Sequence, residues 1–190
     1  HLYDEVGENV FGFLDGMFAI ALWDTKRQLL FLARDQIGEK PLFYGVFNSG
    51  RSLVFASEIK AIKQLNDFNL TIDRQALWDF PTFLWIPEPN TIFKEVSALE
   101  GGNYLKINTS SITKMPYKSR LKQTELASMS DAVAVDETRR VVSEAIKSRL
   151  LSDVPVGSFL SGGLDSSIVA TIASRELGPI DTFSIGFEDL

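Results

Sequence analysis

The chain has no cysteine and a single histidine, His1, among its 190 residues. The first absence excludes disulfides, thiolate metal sites and a cysteine nucleophile from these residues, and it agrees with a cytoplasmic location. The second excludes a Ser/His triad and histidine-rich metal centres. No apolar run approaches the roughly 20 residues of a membrane-spanning helix. Positive charge is also in deficit: 19 Lys and Arg stand against 25 Asp and Glu, a net charge of −6, which leaves no basic footprint for nucleic acid. The rest is ordinary for a globular protein, with 45% hydrophobic and 23% charged residues and length for one or two domains. The chain opens without Met or a signal-peptide pattern and stops just after an apolar strand. It is therefore read as an internal piece of a longer protein.

The stretch with the clearest chemistry is Ser161-Gly162-Gly163-Leu164-Asp165-Ser166-Ser167. An apolar run, Pro155 to Leu160, ends just before it, and a helical pattern from Asp165 to Glu176 follows. Strand, glycine turn and helix N-terminus together form an arrangement that binds phosphate through backbone N–H groups and the helix dipole. Gly162 and Gly163 are expected to reach φ > 0 and let the backbone approach an anion. Ser161, Ser166 and Ser167 supply hydroxyls. Asp165 is the odd member, because a carboxylate repels phosphate unless a bridging Mg²⁺ joins them. No Lys follows the glycines, so this is not a Walker A loop, and it is not Gly-x-Gly-x-x-Gly. From the residues alone a plain turn with Asp165 or Ser166 capping a helix stays open.

The remainder reads in order. His1 to Leu14 is a short amphipathic segment. Met17–Trp23 and Leu29–Ala33 are apolar strands joined by a polar turn, a hairpin buried on both faces. Leu42–Phe47 and Leu53–Ala56 are the next strands, so the first ~60 residues are expected to form an antiparallel meander. Arg34 and Asp35 are read as a structural ion pair that fixes the turn after a strand. Ser57 is a candidate cap for a helix from Glu58. Asp73–Phe83 carries Leu77, Trp78 and Phe80 at helical spacing; its aromatics, with Trp85 after it, could line a ligand site, and core packing is the preferred reading. Residues 109–130 are polar, without periodicity, and read as a linker. Asp131–Leu151 is the longest helical pattern. Pro155–Leu160, the helix after it and Ile180–Phe187 make one βαβ unit, with the loop at the carboxyl end of its first strand.

Ser161-Gly162-Gly163-Leu164-Asp165-Ser166 resembles the pyrophosphate loop of the ATP-pyrophosphatase superfamily. With its flank, Arg149-Leu150-Leu151-Ser152-Asp153-Val154-Pro155-Val156-Gly157, it is similar to the synthetase domain of glutamine-hydrolysing asparagine synthetases. Leu14-Asp15-Gly16-Met17-Phe18-Ala19 through Asp24 resembles the later half of a class II glutamine amidotransferase domain. So do Ala33-Arg34-Asp35 with Gly38 and Lys40-Pro41-Leu42, and Phe55 to Ala61. Trp85-Ile86-Pro87-Glu88-Pro89-Asn90-Thr91-Ile92-Phe93 is similar to a Gly-Tyr-Ile-Pro-x-Pro-x-Thr-Ile-Phe segment of the same family, and Gly101-Gly102-Asn103 replaces its Pro-Gly-His turn.

The resemblance implies an α/β protein. Residues 1–108 would be the C-terminal part of an antiparallel αββα (Ntn-type) sandwich, 109–130 the linker, and 131–190 the first βαβ unit of an adenine nucleotide α-hydrolase-like domain. It implies ATP and Mg²⁺ as cofactors and aspartate, glutamine and ATP as small-molecule partners. Neither nucleic acid nor membrane is expected, and a homodimer is left open. Aspartate would be amidated through β-aspartyl-AMP, with AMP and pyrophosphate released. Ser161, Gly162, Gly163, Asp165 and Ser166 would hold the pyrophosphate, Asp165 its Mg²⁺. Leu160 would lie against the nucleotide, and Ile185 would meet adenine through its backbone. The family's nucleophile is an N-terminal cysteine, so no catalytic glutaminase residue is assigned in this chain. Two other readings stand beside this one: a relative with another acceptor, such as a β-lactam synthetase, and a non-catalytic nucleotide-binding homologue.

Overall fold

A computed structural model describes residues 1–65, 68–117 and 129–186. The fold is mixed α/β and divides into two compact units, residues 1–122 and 123–190. Among the described residues no helix is long and apolar enough to cross a membrane.

The first unit opens with α1 (Leu2–Val6) and a 3₁₀ segment, Gly7–Phe13. Strands β1 (Ala19–Asp24) and β2 (Leu29–Arg34) form the expected hairpin, in register Ala19↔Arg34 to Asp24↔Leu29. Next come β3 (Phe43–Phe47), β4 (Ser52–Ala56), α2 (Ile59–Lys63) and α3 (Arg74–Phe83). Strands β5 (Val96–Ala98), β6 (Asn103–Ile107) and β7 (Ile112–Pro116) follow. They make two antiparallel sheets, β1-β2-β6-β7 and β4-β3-β5. The expected single meander is therefore corrected. β2 pairs with β6, more than 60 residues along the chain, and β3 starts a second sheet. The polar stretch Asp35–Pro41 is the crossing point between sheets.

Alternation along the strands sets the layers. Phe31 and Ala33 of β2 and Tyr104 of β6 pack with Val10 and Phe11 of the N-terminal helical segment. Leu32, Leu105 and Ile107 face the other way and meet Leu42, Leu99, Tyr44 and Leu53 from the second sheet. Beyond that sheet, Phe47 and Val96 pack on Ile62 of α2. The order is helix, sheet, sheet, helix. Both faces of β2 are buried, as its continuous apolar run requires, whereas β1 is an edge strand with alternate residues exposed.

Arg34 and Asp35 are structural, but they are not paired with each other. Arg34, buried at the end of β2, donates to the carbonyls of Gly38 (2.6 Å), Lys40 (2.7 Å) and Leu99 (2.6 Å) and to the Glu88 carboxylate at 2.7 Å. Asp35 accepts from the N–H groups of Phe18, Glu39 and Lys40. Burial pushes the Asp35 pKa up, but these backbone donors outweigh it and hold the group below its ordinary value. Gly38 has φ +73°, and a Cβ there would lie 2.9 Å from Arg34 Cζ. Tyr117 donates to the Arg34 carbonyl at 2.7 Å, and burial with the nearby Asp35 charge pushes its pKa up to about 12.

Three further expectations are corrected. Glu58, not Ser57, precedes α2, and no side chain caps it. Leu77, Trp78, Phe80 and Trp85 are exposed rather than core; the buried residue of α3 is Ala76. Residues 109–130 are not wholly linker, because β7 extends the first sheet beside β6, in register Asn103↔Pro116 to Ile107↔Ile112. Lys114 of β7 pairs with Glu100 at 2.6 Å, and exposure on both faces hid that edge strand from periodicity. Residues 118–128 of that stretch lie outside the described residues.

The second unit contains α4 (Asp131–Ser148), β8 (Gly157–Phe159), α5 (Leu164–Leu177) and β9 (Asp181–Phe183). β8 and β9 are parallel, in register Gly157↔Asp181, Ser158↔Thr182 and Phe159↔Phe183, with α5 as the crossover. The expected βαβ unit is thus present, with shorter strands. Phe187, read as the end of the last strand, lies outside the described residues. Lys147 pairs with Glu176 at 2.6 Å and ties α4 to α5.

Candidate nucleotide-binding loop

β8 delivers the chain to Leu160, which is half-buried. The Leu160 N–H continues the parallel ladder to the Phe183 carbonyl at 2.8 Å. The loop then turns at Gly162, with φ +82° and nothing within 4 Å of a built Cβ. Gly162 needs glycine for its backbone conformation, not for space. Gly163 is different. It is extended (φ −77°, ψ 164°) and is the N-cap residue of α5, so the expectation of φ > 0 at both glycines is corrected. A helix entry requires extended backbone at its cap.

Serine side chains brace this turn. Ser161 Oγ lies 3.0 Å from Ser166 Oγ, and the Ser161 N–H donates to Ser166 Oγ at 3.3 Å. The Gly163 N–H reaches Ser161 Oγ at 3.4 Å. Ser166 and Ser167 both donate to the Gly163 carbonyl, at 3.1 and 2.8 Å. The first helical bond runs from the Ser167 N–H to that same carbonyl. The N–H groups of Leu164, Asp165 and Ser166 precede it, and in a helix such groups are left for a cap or a ligand. They are the donors a bound anion would use.

Of the residues singled out from sequence, Leu160, Ser161, Gly162, Gly163, Asp165 and Ser166 lie on one continuous loop and helix turn. Ile185 stands two residues beyond β9 and is 85% exposed. Asp165 is exposed in the first turn of α5. Among the described residues no three His, Cys, Asp or Glu side chains cluster as a metal cage. A lone carboxylate suits a Mg²⁺ held mainly by phosphate oxygens, the usual way this ion is bound beside a polyphosphate. Ser184 was not singled out. Its Oγ donates to the Leu160 carbonyl at 2.6 Å. The only signal in the sequence was a hydroxyl between the apolar residues Phe183 and Ile185.

The family model of the glutamine amidotransferase domain matches residues 1–118. This chain belongs to the glutamine amidotransferase domain family. The remainder of this family member matches a second model, asparagine synthase, over residues 137–190, which includes the whole loop. The resemblance to glutamine-hydrolysing asparagine synthetases therefore holds in both units. Asparagine synthetase (glutamine-hydrolyzing) 3 of Bacillus subtilis (strain 168) is 37% identical over 195 residues, covering 100% of this chain and 31% of its own. The enzyme numbered 1 of the same organism is 37% identical over 179 residues, covering 92% and 27%. Asparagine synthetase (glutamine-hydrolyzing) 2 of Oryza sativa subsp. japonica is 34% identical over 177 residues, covering 93% and 25%. This amidotransferase-family chain thus spans under a third of the length of these relatives.

Proposed function

We propose that the chain is part of an ATP-dependent, glutamine-dependent ligase that amidates aspartate to asparagine. The observation that carries this reading is the serine-braced Ser161–Ser166 loop, with its run of N–H donors at the start of α5. The helix–sheet–sheet–helix layering of the first unit supports an Ntn-type glutamine amidotransferase part. The β8-α5-β9 crossover supports the opening of an adenine nucleotide α-hydrolase-like synthetase part from Asp131 onward.

In the proposed reaction an aspartate side-chain oxygen attacks the α-phosphorus of ATP. The bond from that phosphorus to the bridging oxygen breaks, giving β-aspartyl-AMP and pyrophosphate. Ammonia released from glutamine then attacks the acyl carbon. The carbon–oxygen bond to AMP breaks, a proton leaves the nitrogen, and asparagine and AMP result. The obstacle to the first step is charge, because a carboxylate approaches a polyanion. The N–H groups of Leu164, Asp165 and Ser166 and the Ser161 and Ser166 hydroxyls hold the negative charge that develops on the leaving pyrophosphate. Leu160 lies against the nucleotide, and Ile185 meets its base. When bound at Asp165, Mg²⁺ supplies further neutralisation of the phosphate oxygens. Glutamine hydrolysis is assigned to no residue of this chain, which holds no cysteine. The same reading gives aspartate, glutamine and ATP as partners, a cytoplasmic location, and a homodimer that sedimentation would test.

The test is Mg-ATP-dependent pyrophosphate exchange by the full-length protein, with and without aspartate, beside Asp165→Ala. Aspartate-dependent exchange that falls at least about a hundredfold in the variant is expected, the size typical of removing one electrostatic partner of a transition state. Exchange that needs a different carboxylic acid would replace aspartate as acceptor. No exchange with any acid by a folded protein would sink the adenylating reading.

A further inference from the structure

Residues 73–92 leave the sheets of the first unit and return to them side by side. Ile72 and Phe93 form an antiparallel bridge at the base. There the Asp73 N–H donates to the Ile92 carbonyl at 2.9 Å and the Lys94 N–H to the Thr71 carbonyl at 3.0 Å. The return limb is fixed by Glu88, on buried Arg34 at 2.7 Å, and by the Pro89 carbonyl, which accepts from the Ala98 N–H at 2.9 Å. The outgoing limb carries α3. Its buried residue is the small Ala76, whereas Arg74, Leu77, Trp78 and Pro81, at three- and four-residue spacing, share another side. Trp78 on that side is 74% exposed. The helix ends on Leu84, whose φ of 61° is the left-handed conformation glycine usually takes there, and Leu84 and Trp85 are 81% and 58% exposed. Six large apolar residues between Leu77 and Trp85 are more than half exposed. At about 200 Å² for each such residue, they present on the order of 700 Å². That exceeds the roughly 300–600 Å² of the largest patch on a typical monomer and approaches the roughly 800 Å² that each partner gives a stable interface.

We propose that this outward side of α3, continued by Leu84 and Trp85, is the surface through which two copies of the protein associate. The inference rests on the homodimer reading above and assigns it a surface. The face is complementary to itself. Arg74 has no ion pair among the described residues. A two-fold axis through the middle of α3 lays two such helices antiparallel, which opposes their dipoles. Trp78 then stands level with the partner's Pro81, and Arg74 level with the partner's Trp85, a guanidinium beside an indole ring. Large aromatic residues with a single arginine are the composition of interface centres. The polar side of the helix, Gln75, Asp79 and Thr82, carries no basic residue, and the chain has a net charge of −6, so an anionic membrane surface is a poor match.

The test is sedimentation velocity on the full-length protein over a range of concentrations, with oxidative footprinting of Trp78 and Trp85. The wild type is expected to dimerise with both indoles protected. Trp78→Glu should weaken dimerisation at least about thirtyfold, the loss of one central hot-spot side chain. Arg74→Ala should weaken it about tenfold, since a two-fold interface carries the contact twice. Both side chains lie outside the core, so thermal unfolding of the monomeric variants should stay close to that of the wild type. Should Trp78→Glu fail to fold, Arg74→Ala decides in the same way. A dimer that Trp78→Glu leaves intact overturns this surface and leaves the homodimer standing. A monomeric wild type overturns both, whether its indoles are protected by other parts of the protein or open to the oxidant. Pyrophosphate exchange tests the nucleotide loop separately from either result.

Discussion

The two units of the chain are held together in different ways. In residues 1–122 side chains from four layers meet in three apolar clusters, and a buried arginine joins segments far apart in sequence. In residues 123–190 only Ala173 is buried among the described apolar residues, and Phe159 and Leu164, flanking the loop, are 82% and 76% exposed. The first unit is specified by packing, whereas the second presents a loop specified by hydrogen bonds over a few residues. A stable scaffold needs the first kind of contact.

That contrast can be broken most sharply with two phenylalanines. Phe31→Ala should lower unfolding free energy by about 3–5 kcal/mol, since the ring is fully buried among Val10, Phe11 and Tyr104. Phe159→Ala should change it by no more than about 0.5 kcal/mol. Denaturant unfolding monitored in each unit measures both. Equal losses would mean that the Phe159 side of β8 is covered in solution and that the contrast is false.

Two glycines sharpen the comparison at smaller scale. Both have positive φ, at +73° for Gly38 and +82° for Gly162. An alanine at Gly162 meets no atom within 4 Å, so its cost should be the backbone strain alone, about 1–2 kcal/mol. An alanine at Gly38 adds contact with the Arg34 guanidinium at 2.9 Å, held by three carbonyls and Glu88, and should cost more. Thermal unfolding of the two variants would rank them. The opposite order would show that the Arg34 cluster is soft.

The last pair of effects is in pH. The Asp35 pKa is lowered on folding, so its contribution is complete above the ordinary value of 3.8 and is lost as pH falls through the lower folded value. The Tyr117 pKa is raised from 10.0 to about 12, so its contribution is complete below pH 10 and is lost as pH rises through about 12. Asp35→Asn should flatten the acid limb of a stability profile, and Tyr117→Phe the alkaline limb, both in the first unit. Neither change should alter the pyrophosphate binding proposed for the second. A variant that did so would show that the two units are energetically linked.

The loop was almost fully legible in the sequence. Ser161, Gly163 and Ser166 bond within five residues of one another, and such contacts depend on local geometry. The errors lie where distant segments decide. Asp35 and Arg34 read as partners because they are adjacent. On a strand, though, adjacent side chains point to opposite faces, and Arg34 found Glu88, 54 residues away. The aromatic residues of α3 read as core because they are large and regularly spaced, yet the buried residue of that helix is Ala76. β7 was hidden because an edge strand exposed along its whole length, Ile-Thr-Lys-Met-Pro, carries no period-2 signal.

By itself, then, the sequence determined the family, most of the strands and helices, and a strand, glycine turn and helix start at α5. These follow from residue type and short-range spacing. Tertiary structure alone decided that β2 leaves the hairpin to pair with β6, that Arg34 ties the 34–40 turn to Leu99 and Glu88, and that Ser184 takes the Leu160 carbonyl. Each is a choice of partner across 24 residues or more of chain. Backbone donors and acceptors are identical along a sequence, so only the folded register selects which of them meet.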